Sequence, residues 1–200
     1  FRKEAGLEPK GEVYGGWESQ GVAGHSLGHY LSACALMYAS SGDERFKDRA
    51  AYIVDEMALC QDKNGNGYVA AIPGGKKCFE EVARGDIRSQ GFDLNGLWVP
   101  WYTIHKEMAG LRDVYLLCDN AKALEVWKKF TDWAYAVTDK LTEAQWQTML
   151  ACEQGGMKEV CADLYAVTGD EKYLTLAERF THKFIMDPLS RKEDRLAGVH

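Results

Sequence analysis

The densest group of chemically useful side chains is Trp98-Val-Pro-Trp-Tyr-Thr-Ile-His-Lys106, with Trp98, Trp101 and His105 crowded together. Indole faces beside a neutral imidazole suit a sugar ring, which needs a flat apolar surface and a few well-placed polar groups. The competing reading is an aromatic core helix. His25-Ser-Leu-Gly-His29 puts two imidazoles four apart on one helical face, but Ser26 stands where a zinc-protease motif carries Glu. The pair therefore reads as hydrogen-bonding. Glu159-Val-Cys161 offers a carboxylate and a thiol, half of a four-coordinate zinc site. Glu18 can bind a hydroxyl, or sit as a carboxylate near the first helix N-terminus. His182, between Thr181 and Lys183, reads as surface.

Helical periodicity supplies the elements that must position these groups. Leu27, Tyr30/Leu31, Cys34 and Met37/Tyr38 form one stripe ending at Ser41-Gly42. Asp43 caps a second helix to about Leu59. A third is opened by the Trp98–Lys106 run, with both tryptophans and His105 in its first two turns and Pro100 tolerated near its start, and runs to about Cys118. It presents Trp101, Ile104, Met108, Leu111, Tyr115 and Cys118 on one face, and Trp98, Tyr102, His105, Ala109 and Arg112 on the next. A fourth reaches about Lys140, a short segment covers 142–152, and Met157 begins another that ends at Thr168-Gly169. Asp170 caps the last, with Tyr173, Ala177, Phe180 and Phe184 inward, and Asp187-Pro188 stops it.

Residues 35–46 (ALMYASSGDERF) repeat as 162–173 (ADLYAVTGDEKY), and 111–120 is a looser third copy. Each copy is an αα-hairpin, so the chain is expected to be all-α, an open solenoid or a closed toroid with inner and outer helices. The first helix of each hairpin starts with polar or aromatic residues: His25 and His29; Trp98, Trp101 and His105; Gln154 and Glu159. His200 falls where the next would start. In a toroid these ends meet on one rim. Between Asp62 and Leu97 the helical pattern lapses into turn residues, and a loop of that length tends to cover a site. Asp62-Lys-Asn-Gly-Asn-Gly67 resembles the start of a calcium loop, but Pro73 replaces the bidentate Glu that such a loop requires.

A net charge of −6 gives no basic stripe for nucleic acid, and no apolar run is long enough to span a membrane. Six cysteines without a C-x-x-C pair read as packing. The compartment stays open.

Together Gly15-Gly-Trp-Glu18, Gly24-His-Ser-Leu-Gly-His-Tyr-Leu-Ser-Ala33, the Trp98–Lys106 run, Gly155-Gly-Met157 with Glu159 and Leu164-Tyr165, and Gly198-Val-His200 resemble the β-L-arabinofuranosidase-type glycoside hydrolases, families 127 and 146. The resemblance implies an (α/α)6-barrel, with residues 1–200 as the N-terminal part of a single catalytic domain. It implies retaining cleavage of terminal L-arabinofuranosides of plant glycans by a zinc-bound Cys thiolate and a Glu acid/base. Those groups would lie beyond residue 200, so no catalytic residue and no zinc would belong to this stretch, which alone would be inactive. It would carry the sugar-holding wall: His105, His200 and the tryptophans. The family usually has His where this chain has Gln154. Half a toroid would also leave apolar faces uncovered and prone to self-association. The other reading is a non-catalytic helical-repeat module that binds glycans or proteins.

Overall fold

In the computed structural model, residues 1–197 are described. They form α1 (Trp17–Gln20), α2 (His25–Ser41), α3 (Glu44–Asn64), α4 (Gly75–Ala83), β1 (Ser89–Gln90), β2 (Asp93–Leu94), β3 (Leu97–Trp98), α5 (Pro100–Cys118), α6 (Ala121–Thr138), α7 (Glu143–Leu150), α8 (Met157–Thr168), α9 (Glu171–Arg179) and α10 (Lys183–Ser190). Helix pairs α2/α3, α5/α6 and α8/α9 are antiparallel hairpins. One layer is α2–α5–α8, each packed on the next, and the other is α3–α6–α9. This is an all-α arrangement of the α/α-barrel type.

The repeat is reproduced down to single hydrogen bonds. Gly42 and Gly169 end α2 and α8 in the left-handed region at φ 69° and 70°. Asp43 and Asp170 then cap α3 and α9, each accepting from the amide two residues on at 3.0 Å. Tyr38 and Tyr165 each donate to the Glu six residues later. In the looser copy the turn is Asp119, at φ 54°, and Asn120 caps α6 through the Ala123 amide.

The inner layer is closest between α2 and α5. A side chain at Gly28 would run into the Lys106 carbonyl, and one at Gly110 would lie 2.6 Å from the Gly28 carbonyl oxygen. Any larger residue would force the helices apart and disturb everything at their N-terminal ends. Between the layers Trp101, Trp127, Phe130, Phe79 and Tyr68 are buried, with the Phe79 ring 4.6 Å from Trp101 and 4.9 Å from Trp133. All six cysteines are free and buried.

Residues 62–97 are not a plain loop. Helix α3 continues to Asn64 because Cys60 and Gln61 are buried, and Gly65 supplies the left-handed cap. Asn64 and Asn66 hold the turn, one donating to the Tyr68 carbonyl and the other accepting from its amide. Helix α4 buries Cys78, Phe79 and Val82. The strands form an antiparallel meander with Ser89 opposite Leu94 and Asp93 opposite Trp98. Asn95-Gly96, both at positive φ, makes the tight turn of its second hairpin.

The last helix is also divided. It stops at Arg179 and restarts at Lys183, and Pro188 lies inside α10 rather than ending it. At the break Gln147 replaces the lost backbone partners, donating to the Thr181 carbonyl at 3.1 Å and accepting from the Lys183 amide at 2.9 Å. As a result Phe184, expected inward, is 67% exposed.

Candidate functional site: the rim of the inner helices

The N-terminal ends of α2, α5 and α8 lie side by side. His25 opens α2, and its ring is 6.3 Å from Tyr102 in the first turn of α5. Tyr102 is 6.4 Å from His105, and Gly155-Gly156, leading into α8, lies flat on the His105 imidazole. A Cβ at either glycine would fall 2.6 Å from a ring nitrogen, Nδ1 for Gly155 and Nε2 for Gly156. The glycines are thus required by the close approach of backbone to ring, and Gly155 also sits at φ 58°. Trp17 completes the group, 6.5 Å from His25 and edge-on to Trp98 at 6.1 Å.

His105 is 8% exposed, and Nδ1 is buried without a partner in the protein. Burial, and then the Lys106 charge, push its pKa down to about 4, against the opposing pull of Glu159. At neutral pH it is an uncharged imidazole. Such a ring can exchange one hydrogen bond with a sugar hydroxyl without a net charge to desolvate. His29 is exposed at 6.1 Å from His25, and its pKa is lowered by partial burial, then by Lys106 and His25.

Glu18 has its oxygens committed. Oε2 accepts from the Gly24 amide at 2.7 Å; Oε1 accepts from the Ser26 amide and lies against His25 Nδ1, both at 2.8 Å. Burial alone would raise the carboxyl, but these donors hold it below its usual value. It caps α2, whose first amides have no helical partner, and it orients His25. With acceptors 2.8 Å away at both Glu18 and the Val22 carbonyl, Nδ1 carries the hydrogen.

Trp101, expected in the wall, belongs to the core instead. It is fully buried among Phe79, Trp133 and Phe180, with its indole N–H directed at Met149 Sδ. Periodicity could not separate the two tryptophans, because the strand β3 ends at Trp98 and only Trp101 is on the helix. Between them Val99 is held at φ 38°, with its amide on the Phe92 carbonyl. That conformation is costly for a β-branched residue, and it turns the chain so that Trp98 stays at the rim.

Glu159 is exposed and paired with Arg112 at 2.8 Å, a cation that also binds Asp163 and Asp113. Cys161 points the other way, fully buried, its thiol pKa raised by burial. The two do not converge on a metal, and among the described residues no group of three or more His, Cys, Asp or Glu is placed to hold one. The described residues thus do not fit zinc. Gln154 is half-buried, with Oε1 lacking a protein partner, and it borders a cavity of about 750 Å³. His200 lies outside the described residues.

Three groups escaped the sequence reading. Tyr102 bridges His25 and His105, and its signal was its place three residues before His105. Trp17 was visible only as part of a motif. His182, read as surface, is half-buried at the same 750 Å³ cavity. A second cavity of about 870 Å³ lies on the other side of Glu18, between the N-terminal segment, α2 and α3.

The inner helices of this α/α-type array thus gather the uncharged His105, two further imidazoles and several aromatic rings at one rim. A family model for the β-L-arabinofuranosidase, GH127 catalytic domain, matches residues 1–200. The chain belongs to that family of glycoside hydrolases, whose substrates are carbohydrates. No curated protein matches it. No helix of the described residues is long and apolar enough to cross a membrane.

Proposed function

We propose that this chain is the sugar-holding part of a retaining β-L-arabinofuranosidase acting on plant-type glycans. It contributes three of the six hairpins of the barrel, and the zinc-held thiolate nucleophile and the Glu acid/base come from residues beyond His200. The observation that carries this reading is the uncharged, partly unpartnered His105, with Gly155-Gly156 packed on its ring and the Tyr102 ring 6.4 Å away, in a domain of this family. A furanose offers hydroxyls and little charge, so a wall of this kind suits it better than an ion-pairing site. His105, Trp98, His25 and Gln154 face the sugar; Trp101 supports them from below, and Glu18 acts through His25.

The test is hydrolysis of an aryl β-L-arabinofuranoside by the full-length protein, with and without a zinc chelator. Release of the aryl group that the chelator abolishes and zinc restores is the expected result. Correctly folded, zinc-loaded protein that releases nothing would overturn the assignment and favour a non-catalytic glycan-binding role.

A further inference from the structure

The 750 Å³ cavity is the continuation of the His105 wall. Gly155, which packs on the imidazole, also lines the cavity together with Glu153 and Gln154. The opposite side is His182, Lys183 and Phe184. These come from the break between α9 and α10, which is fixed rather than loose. Gln147 holds Thr181 and Lys183, and Lys158 donates to the Thr181 hydroxyl at 2.9 Å. The His182 and Phe184 rings stack at 5.9 Å and 29°, and Phe184 still leaves 67% of its surface to solvent. An ordered, exposed ring beside a largely apolar cavity with a few polar groups can serve as a stacking platform.

The polar groups define what would stack there. The Lys183 ammonium is neutralised by Glu143 at 2.7 Å, so it is not free for an acidic or phosphorylated ligand. Burial lowers the His182 pKa, which keeps that ring uncharged at neutral pH. Gln154 lines the same cavity, its Oε1 buried and without a protein donor. A flat neutral platform, a neutral imidazole and an amide match a sugar with free hydroxyls.

We propose that His182 and Phe184 form the platform of a second saccharide subsite, which takes the sugar on the leaving side of the bond cleaved beside His105. The leaving side follows from the reading above, on which this proposal rests: an enzyme that removes terminal residues has only that side left to occupy.

The test uses full-length enzyme and two substrates, methyl β-L-arabinofuranoside and a β-L-arabinofuranosyl disaccharide. Their kcat/KM ratio isolates the second sugar. Phe184→Ala and Phe184→Leu should lower the disaccharide preference about fivefold or more, the size of one aromatic stacking contact, while Phe184→Tyr retains it. Circular dichroism checks that all three variants fold. An unchanged ratio in Phe184→Ala overturns the subsite while leaving the glycosidase assignment standing. Folded wild-type enzyme that cleaves neither substrate overturns both.

Discussion

Two carboxyl groups meet at Gly24 and have opposite fates. Glu18 reaches it from the rim and is surrounded by donors: two helix amides and the His25 ring. Glu107 reaches it from the neighbouring helix α5, where its carboxyl lies against the position a Gly24 side chain would take. Neither Glu107 oxygen has a hydrogen-bond partner in the protein, and the residue is completely buried. Burial raises its pKa well above the ordinary value against the opposing pull of the Phe1 ammonium and the Ala71 amide, and the Glu18 charge adds to the rise. Burial and donors act together: Glu18 keeps some solvent contact and has three donors, whereas Glu107 is completely enclosed and has no hydrogen-bond partner. Glu18 stays an anion that organises the rim; Glu107 is a neutral acid packed beneath it.

The contrast can be broken most severely at the shared residue. Gly24→Ala places a methyl group into the Glu107 carboxyl and 3.2 Å from the Phe1 ring, at a backbone φ of 109°. A loss of about 3 kcal/mol of unfolding free energy in urea titration is expected, from overpacking plus strain. A loss below about 1 kcal/mol would mean that the two carboxyls are not brought together there.

Removing the rim carboxylate is the next largest effect. Glu18→Ala leaves the Gly24 and Ser26 amides without their acceptor and His25 with the Val22 carbonyl alone, which should cost about 2 kcal/mol at pH 7. The folded pKa of Glu18 is depressed, so its contribution is complete above the unfolded carboxylate value and disappears as pH falls through the folded one. Wild type and variant should therefore converge in acid, which stability measurements across pH would detect. A difference independent of pH would assign the loss to packing.

The smallest effect has the opposite sign. Glu107 is raised on folding, so the folded state holds a proton that the unfolded state releases. Its contribution is full below the unfolded value and declines as pH rises towards the folded one. Glu107→Gln keeps the shape and removes this titration. The variant should gain about 1 kcal/mol or more over wild type on going from pH 5 to pH 8. If instead it loses ground at pH 8, Glu107 is an anion with a bound partner and the contrast with Glu18 fails.

Much of the scaffold was legible because its signals are local. The repeat, the Gly42 and Gly169 stops and the Asp43 and Asp170 caps are short-range hydrogen-bond chemistry, which one segment specifies unaided. Asn95-Gly96 carried an equally local hairpin signal and was overlooked within a glycine-rich stretch. The break before α10 could not be read in the same way, since it depends on Gln147, more than thirty residues earlier.

The same division runs through the site. Sequence alone determined that polar and aromatic residues recur at the start of each inner helix, because their spacing and the helix repeat fix which end they occupy. Only the tertiary structure decided their roles. Trp98 and Trp101 are three apart, yet one stays at the rim and the other enters the core, since a strained Val99 turns the chain between them. Glu18 and Glu107 are the same residue type, yet one is an anion and the other a neutral acid. Electrostatic free energy depends on the donors within a few ångströms, and those donors come from other helices.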